Sequence, residues 1–418
     1  MNGMNQNLLR LAGVALADVL TTSGPADAKL GAFFRGHREL GTKDRAFIAE
    51  SIYGVLRRKR WLAYLSDGED PRKLLVAWLV RVQGNSLRDL DEVLNKQQKE
   101  WAQEIKAKST DGLSLAEQVD LPDWLYERLL ASHGERLPEL VRALNRPAPL
   151  DLRVNPLSAE REAILAQLAT EGLAAEATPY SPLGIRLKDK PALQKHPLFL
   201  EGQIEVQDEG SQLLGYLMSP KRGEMVCDFC AGAGGKTMLL GALMRSTGRL
   251  YAFDVSEKRL NNLKPRLKRS GLSNVQAQLI ANERDTKIKR LAGKFDRVLV
   301  DAPCSGTGTL RRNPDLKWRQ TPEALAELNA KQANILNSAA TLVKTGGRLV
   351  YATCSLLREE NEAIVEAFLA GHPGFKLVPA GEALAAQHIE LAMDHYLRLD
   401  TALHSTDAFF AAVLERTA

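Results

Sequence analysis

After residue 222 the chain alternates between short apolar runs and longer runs with apolar residues at helical spacing. The short runs are MVCDF, RLYAFDV, NVQAQLI, DRVLVDAP and GRLVYATCS, and helical patterns such as GKTMLLGALMR lie between them. Strands that alternate with helices form a parallel sheet whose two faces are both covered. Ligands bind such a sheet at the carboxyl ends of its strands. We therefore predict a doubly wound α/β fold here, with any site at that edge.

The chain of 418 residues is longer than one ordinary hydrophobic core supports. Residues 1–120 carry apolar positions at helical spacing and few β-branched runs, which predicts an all-helical domain. Residues 121–215 mix helical patterns with short strand-like runs and turn residues, which predicts a small α/β extension. Residues 216–418 hold the alternating pattern. We therefore expect three domains.

The helical part contains the basic run RRKR at 57–60, close to Tyr53, Trp61 and Tyr64. Two interpretations stay open: a solvated helix end, or a surface that grips the phosphates and bases of RNA. The net charge of +5 permits a polyanionic partner without requiring one. No apolar run approaches the roughly 18 residues of a membrane-spanning helix. The 4 cysteines all lie in the second half, so we expect a cytoplasmic protein with no membrane partner.

The stretch CAGAGGKT at 230–237 admits three interpretations. A phosphate-binding loop needs a glycine where Cys230 stands, and a dinucleotide-binding loop needs a third glycine where Thr237 stands. The third interpretation is a loop for S-adenosylmethionine (SAM). That loop needs an acid at the strand end and glycines four and six residues later, which Asp228, Gly232 and Gly234 provide.

The next predicted strand supports the SAM interpretation because it ends in an acid, Asp254. A carboxylate at this place accepts hydrogen bonds from both ribose hydroxyls of a nucleoside. Glycines in the loop let the methionine part of SAM approach backbone that a Cβ would obstruct. We therefore predict SAM as the cofactor.

Two cysteines follow the fourth and fifth predicted strands: Cys304 in DAPCSGTG and Cys354 in YATCS. Methyl transfer to carbon 5 of a pyrimidine requires a thiolate to add first at carbon 6, because carbon 5 alone is a weak nucleophile. A second group must then assist proton loss and expulsion of the sulfur. The residues alone do not rank the two cysteines, and either can be the attacker.

Asp301 ends the fourth predicted strand, beside Cys304. A carboxyl group at nitrogen 3 and the exocyclic amine of the base would stabilise developing charge and favour cytosine over uracil. The attacking thiol needs an electropositive setting. The candidate cations are Lys236, Arg311, Arg312 and Lys317.

Cys227 and Cys230 are spaced as in half of a zinc site or a redox pair. A zinc site needs four ligands, and neither a second close pair nor a histidine cluster accompanies them. We therefore predict no metal site, with Cys227 in a buried strand and Cys230 in the glycine loop.

The motifs CAGAGGKT, DAPCSGTGTLRRNPDLKW and LVYATCSLLREENE together resemble those of the RsmB/Nop/Sun family of RNA cytosine-C5 methyltransferases. The resemblance extends to DLRVNP, VQDEGSQL and STDAFFAAVL, so it covers most of residues 120–418. The helical part, through KDRAFIAESIYGVLRRKRWL, is more loosely similar to the NusB-like RNA-binding domain of the RsmB subgroup. That subgroup modifies small-subunit ribosomal RNA.

The resemblance implies a class I, Rossmann-like SAM-dependent methyltransferase domain, preceded by a NusB-like domain and a small α/β segment. It implies that Cys354 is the nucleophile and that Cys304 assists product release. It also implies a SAM pocket lined by Cys230, Ala231, Gly232, Ala233, Gly234, Gly235, Lys236, Asp254 and Asp301.

The chain departs from the family pattern at two places near the expected pocket. Gly232 and Ala233 replace the usual Ala-Pro pair, which gives the loop more backbone freedom. Where the family places an Asp beside the adenine, this chain has Asn282. Its amide oxygen can accept a hydrogen bond from the adenine amine, and Asp285 is the alternative partner.

We therefore predict a monomeric SAM-dependent enzyme that forms 5-methylcytosine in ribosomal RNA, with 16S rRNA as the expected substrate. Cys354 adds to the base, Asp301 holds it, and Cys304 aids elimination. Two alternatives remain open: a non-catalytic SAM-binding ribosome assembly factor, and a cytosine methyltransferase that acts on another RNA or on DNA. DNA enzymes resemble a pattern in which the Pro-Cys cysteine attacks, which here is Cys304.

Overall fold

The structure, a computed structural model, describes residues 4–21 and 23–418, and these divide into two units. The first unit contains the chain up to Arg146 together with Leu310–Thr321. The second unit contains Pro147–Thr309 and Pro322–Ala418. None of the described helices is both long and apolar enough to cross a lipid bilayer.

The first unit is built from helices, and its described residues contain no strand. Apolar residues every three or four positions form one buried face per helix: Leu9, Ala12 and Leu16 are at most 3% exposed. They share a core with Ile52 and Trp78. The helices are Gln6–Thr21, Ala26–Gly36, Thr42–Arg57, Lys59–Leu65, Pro71–Ala77, Lys96–Ala107, Leu115–Gln118, Asp123–His133, Leu137–Leu144 and Leu316–Arg319, with a π turn over Trp78–Val82 and a 3₁₀ turn over Gly134–Arg136.

The basic run at 57–60 is bound to acidic groups of its own unit. Arg58 Nε lies 3.1 Å from Oδ2 of Asp120. Arg60 Nη1 lies 2.6 Å from Oδ1 of Asp123 and also donates to a backbone carbonyl. These arginines therefore stabilise the unit itself, an arrangement that the sequence did not predict.

The segment Leu310–Thr321 belongs to the first unit although it continues one of the long sequence motifs. Trp318 Nε1 donates to the carbonyl oxygen of Leu56 at 2.7 Å. Asp315 Oδ2 accepts a hydrogen bond from the backbone N of Ala26 at 3.2 Å. The motif is therefore divided: DAPCSGTGT lies in the second unit and LRRNPDLKW in the first.

Lys317 is a buried amine within the first unit. Its side chain is 1% exposed, and Nζ donates to the carbonyl oxygen of Arg57 at 2.9 Å and to Oδ1 of Asn145 at 3.2 Å. Burial lowers the pKa of Lys317 to about 7, although the carboxylate of Asp120 acts in the opposite direction. Between pH 7 and the ordinary value of 10.5, the unfolded chain therefore binds a proton that the folded unit lacks.

We expect the free energy of unfolding of this unit to rise by about 2 kcal/mol as the pH is raised from about 7 to about 9. Below the folded pKa both states carry the proton, so Lys317 contributes no further pH dependence there. All 5 tryptophans lie in the first unit, so urea unfolding followed by tryptophan fluorescence reports on it. Lys317→Met should abolish the rise, whereas Lys106→Met, at an exposed helical position, should preserve it. An undiminished rise in Lys317→Met would overturn this assignment.

The second unit begins with an antiparallel sheet. Its strands β1 (Leu150–Val154), β2 (Ala175–Ala177), β3 (Gly184–Leu187) and β4 (Ile204–Val206) lie in the order β2-β3-β1-β4. Leu152 of β1 shares a buried cluster with Leu168 and Leu198, which come from the helices Arg161–Thr170 and Pro197–Leu200. The sequence pattern predicts a mixed α/β extension over residues 121–215. This sheet lies within those bounds, whereas residues 121–146 belong to the helical first unit.

A larger sheet forms the rest of the second unit. Its strands are β5 (Met225–Asp228), β6 (Arg249–Asp254), β7 (Val275–Leu279), β8 (Phe295–Asp301), β9 (Val343–Thr353), β10 (Phe375–Val378), β11 (Leu397–Arg398) and β12 (Phe410–Arg416). They lie in the order β10-β12-β9-β8-β5-β6-β7, and β11 pairs with β12. The accompanying helices are Glu209–Met218, Gly235–Leu243, Glu257–Ser270, Thr286–Lys289, Pro322–Ala340, Glu362–Gly371, Ala380–Ala385 and Thr401–His404.

The doubly wound fold predicted from the sequence is confirmed. The five predicted strands are β5 to β9, and they pair with one another in parallel. The antiparallel strands β10 to β12 were not predicted. Their short apolar runs do not indicate which strand each one pairs with, because strand pairing depends on residues far away in sequence.

The order of the strands places a crevice between β5 and β8. These strands are neighbours, although β6 and β7 separate them in sequence. The chain therefore leaves β5 in one direction along the sheet and leaves β8 in the other. At such a switch point the loops diverge and open a binding crevice at the carboxyl ends, here marked by Asp228 and Asp301.

Candidate active site at the carboxyl edge of the large sheet

The loop after β5 has the backbone conformation that its glycines permit. Gly232 and Gly234 have φ angles of 56° and 84°. A Cβ on Gly234 would lie 2.0 Å from Cδ1 of Leu263, so packing also requires glycine there. A Cβ on Gly232 would meet no atom within 4 Å, so open space lies over the loop at that point. The loop therefore offers bare backbone to a ligand, as a SAM site needs.

Side chains from neighbouring elements fix this loop. Asp254, at the end of β6, accepts a hydrogen bond from the backbone N of Gly232 at 2.8 Å. Arg153 of β1 donates to the carbonyl oxygen of Gly235 at 2.7 Å. Arg153 is 3% exposed, so burial lowers its pKa to about 10. The loop is therefore held from both sheets of the second unit.

Asp228 lies under the loop as a buried carboxyl group. It is 1% exposed, and burial raises its pKa to about 6. Thr237 Oγ1 donates to its Oδ2 at 2.7 Å. Its other oxygen has no hydrogen-bond partner among the described residues. An unpaired buried acceptor at the switch point favours a ligand that carries a donor, such as the ammonium group of SAM.

Asp254 and the residue after it have the character of a nucleoside site. Asp254 is 4% exposed, and its Oδ1 accepts a hydrogen bond from the backbone N of Ser256 at 2.7 Å. Val255 follows and is 52% exposed, which is unusual for an apolar side chain at a strand end. Sequence reasoning missed Val255. The signal available was an apolar residue directly after an acid at the end of a strand.

The two candidate partners for adenine both hold the loop after β7. Asn282 Oδ1 accepts a hydrogen bond from the backbone N of Arg284 at 2.8 Å. Asp285 accepts from the backbone N of Ala281 at 2.8 Å and of Lys287 at 2.9 Å, and these bonds lower the pKa of Asp285. The one oxygen of Asn282 and both oxygens of Asp285 therefore already accept hydrogen bonds within this loop, so these contacts do not rank the two as partners for adenine.

Lys236 and Asp301 form an ion pair across the crevice. Lys236 Nζ lies 2.5 Å from Oδ2 of Asp301, and the two side chains are 13% and 27% exposed. Burial by itself would lower the pKa of Lys236, but the charges of Asp301 and Cys354 outweigh it and the pKa is raised. Lys236 is therefore a cation whose charge couples to Cys354. The other three candidates, Arg311, Arg312 and Lys317, belong to the first unit.

The two cysteines meet at the ends of β8 and β9. Cys304 Sγ and Cys354 Sγ are 3.4 Å apart, and both thiols are free. The contact with Cys354 raises the pKa of Cys304, and burial raises it further. Gly308 N donates to the carbonyl oxygen of Cys354 at 2.9 Å, which ties the Cys304 loop to the end of β9. The pair is therefore the candidate for nucleophilic chemistry at this edge.

Cys227 and Cys230 have different surroundings from this pair. Cys227 is fully buried in the core of the sheet, and Cys230 packs against the same core from the loop. Burial raises the pKa of both thiols. The described residues contain no group of three or more metal-ligating side chains.

A doubly wound sheet with a bare glycine loop at its switch point and an acid at the end of the next strand is the arrangement of a Rossmann-like nucleoside-binding domain, as a SAM-dependent methyltransferase requires. Residues 215–415 match the family model described as 16S rRNA methyltransferase RsmB/F. Residues 121–194 match the model of the ferredoxin-like domain found in the same proteins. The chain is also 33% identical to the probable ribosomal RNA small subunit methyltransferase B of Synechocystis sp., over 97% of this chain and 99% of that one. It belongs to the RsmB/F family of 16S rRNA methyltransferases.

Other known proteins are similar along much of the chain. The ribosomal RNA small subunit methyltransferase B of Serratia proteamaculans is 31% identical over 90% of this chain and 93% of that one. A crystal structure of a methyltransferase homologue from Pyrococcus horikoshii has a TM-score of 0.64 and 29% identity, and covers 74% of this chain and 100% of that one. The predicted enzyme class is therefore confirmed: the chain is a SAM-dependent rRNA methyltransferase.

Proposed function

We propose that this enzyme forms 5-methylcytosine in 16S rRNA through a covalent bond between Cys354 and carbon 6 of the base. The observation that carries the proposal is the pair of thiols, 3.4 Å apart, at the ends of two strands beside the cofactor crevice. A thiolate next to a second thiol is what addition and later elimination require. All the groups belong to one chain, so a monomer suffices, and we place it in the cytoplasm.

The cofactor fits the residues of the crevice. The open space over Gly232 would admit the methionine part, Asp254 would accept hydrogen bonds from the ribose, and Asn282 and Val255 would hold the adenine. When bound, SAM supplies an electrophilic methyl group on its sulfonium ion. The remaining pocket residues proposed are Cys230, Ala231, Ala233, Gly234, Gly235, Lys236 and Asp301.

The protein residues carry the covalent steps. The thiolate of Cys354 adds to carbon 6, and the electron pair of the carbon 5–carbon 6 double bond moves toward nitrogen 3, leaving carbon 5 nucleophilic. After carbon 5 is methylated, it loses its proton to water. The double bond re-forms, and the bond between carbon 6 and sulfur breaks. Cys304 donates its thiol hydrogen toward the departing sulfur of Cys354 and so assists release.

The ion pair of Lys236 and Asp301 recognises the base and stabilises charge. The ammonium group, paired with Asp301, would donate to the ring as negative charge develops during addition. The carboxylate accepts a hydrogen bond from the exocyclic amine, which cytosine has and uracil lacks. The base must leave its stack to reach these groups, at a cost of a few kcal/mol that RNA contacts elsewhere offset.

The proposal predicts one specific change in cellular RNA. Bisulfite sequencing of 16S rRNA, with and without the gene, should show that one cytosine loses its methyl group completely when the gene is deleted. A plasmid copy of the gene should restore it. Unchanged methylation in the deletion strain would favour an assembly factor without catalysis, and loss of methylation in another RNA or in DNA would correct the substrate.

A further inference from the structure

A buried carboxylate lies beneath the two cysteine loops and has no role in the steps above. Glu360, in the motif LREENE, is fully buried at 0% exposure. Its Oε1 accepts hydrogen bonds from the backbone N of Ser305 at 2.7 Å and from Nε2 of Gln332 at 2.9 Å. Its Oε2 accepts from the hydroxyls of Ser305 and Ser355. A buried carboxylate is tolerated only when such donors surround it.

The donors connect Glu360 to the two loops that carry the thiols. Ser305 follows Cys304 in sequence, and Ser355 follows Cys354. One carboxylate therefore binds the neighbour of each reactive cysteine. The two serine hydroxyls are also 3.2 Å apart, so the two loops come together at the carboxylate of Glu360.

Rigid elements hold Glu360 in place from the other side. The hydroxyl of Tyr351, within β9, donates to the carbonyl oxygen of Glu360 at 2.7 Å. Gln332, on the helix Pro322–Ala340, also donates to the carbonyl oxygen of Pro303 at 2.9 Å. The network therefore anchors the loops to a strand and a helix, which is how precise active-site geometry is maintained.

The charge of Glu360 acts on Cys304. All the donors named above are neutral groups, so none of them cancels the negative charge. After the contact with Cys354 and burial, that charge is a further cause of the raised pKa of Cys304. Cys304 is therefore kept as a thiol, the form that donates a hydrogen bond to the neighbouring sulfur.

We propose that Glu360 is a positioning residue: it ties the Cys304 and Cys354 loops together and keeps Cys304 protonated as the assisting partner. The inference rests on the proposed cysteine mechanism. It adds a third group to that mechanism, one that touches neither the base nor the cofactor.

Glu360→Gln tests the inference because it preserves the shape and removes the charge. We expect kcat for RNA methylation to fall about 10- to 100-fold, since small displacements of reacting groups have effects of this size. SAM binding, measured by calorimetry, should change less than about twofold because the glycine loop is held by other residues. Glu366→Gln, an exposed acid paired with Arg358 on the surface, is the matched control and should behave as the wild type.

A pH profile separates this role from a merely structural one. Iodoacetamide labelling of Cys304, followed by mass spectrometry of its peptide, should show a midpoint about one pH unit lower in Glu360→Gln. General loosening of the loops would raise the labelling rate equally at every pH and leave the midpoint unchanged. A normal midpoint together with a normal kcat would overturn the inference.

Ser355→Ala removes a donor while the charge stays. It should lower kcat with little change in the Cys304 midpoint, so it tests the positioning role even if Glu360→Gln does not fold. A normal kcat in Ser355→Ala would overturn that role. Failure of the proposed function looks different: wild-type enzyme would then yield no 5-methylcytosine at all, whatever residue 360 is.

Discussion

Replacing Cys354 by serine should lower kcat for RNA methylation by on the order of 10³-fold or more and abolish the covalent enzyme–RNA adduct. A serine hydroxyl is not ionised near neutral pH, and Lys236, a cation whose charge couples to this sulfur, cannot compensate for so weak an acid. The change is nearly isosteric, so the loop and the SAM site should persist. SAM binding should therefore stay within about twofold of the wild type.

Cys304→Ser should have the opposite effect on the covalent enzyme–RNA adduct, which should accumulate. Addition and methylation need Cys354 alone, whereas release needs the neighbouring thiol, which lies 3.4 Å away. The variant should therefore accumulate a covalent complex with ordinary RNA. A denaturing gel with labelled transcript detects the complex, and mass spectrometry locates the modified peptide. Cys227→Ala, in the core of the sheet, is the control and should form no stable complex with that transcript.

The opposite result would assign the roles differently. If Cys304→Ser abolished the adduct and Cys354→Ser accumulated it, the Pro-Cys cysteine would be the attacker, as in the pattern that DNA enzymes resemble. A transcript with 5-azacytosine should trap wild-type enzyme at residue 354. If the enzyme methylated RNA and no adduct formed at either cysteine, covalent catalysis would be excluded.

The sequence predicts this edge of the sheet well because the signals there are local. Each of β5, β6, β8 and β9 is an apolar run that ends in a distinctive residue, and parallel strands bring those ends together. Asp254 and Asp301 could therefore be placed before any contact was known. Which cysteine attacks is a different kind of question, and only the family resemblance ranked the two.

Other features depend on tertiary contacts that local sequence patterns do not indicate. Glu360 stands in a run of three acids and an asparagine, and nothing local distinguishes the buried one from its neighbours. Lys317 looked like a cation for the active site, but packing places it in the first unit beside Arg57 and Asn145. Both are consequences of tertiary packing, which local patterns do not encode.

The second large effect should come from Asp301→Asn. We expect kcat for cytosine methylation to fall about 10²- to 10³-fold, the usual result of losing one preorganised electrostatic group. Asparagine keeps the shape of the side chain but loses the charge that binds Lys236 at 2.5 Å. The cytosine-over-uracil preference should also fall, because the amide can donate a hydrogen bond to the oxygen that uracil carries in place of the amine.

The pH dependence of this variant follows from Lys236. In the wild type, burial lowers the pKa of Lys236, but the charge of Asp301 outweighs it, so the ammonium form persists into alkaline solution. In Asp301→Asn the effect of burial is less opposed, and the lysine loses its proton at lower pH. The alkaline limb of the kcat profile should therefore move to lower pH in the variant.

The amino end of the same strand offers a matched control. Asp296 of β8 pairs with Lys344 at 2.8 Å, the same chemistry away from the carboxyl edge. Asp296→Asn should leave kcat, base preference and pH profile within about twofold of the wild type, since surface ion pairs contribute little. If both variants lost activity equally, the loss would reflect the stability of the sheet. If Asp301→Asn had a normal kcat, base preference and pH profile, Asp301 would have no role in the mechanism. Its carboxylate would then act on neither the base nor Lys236.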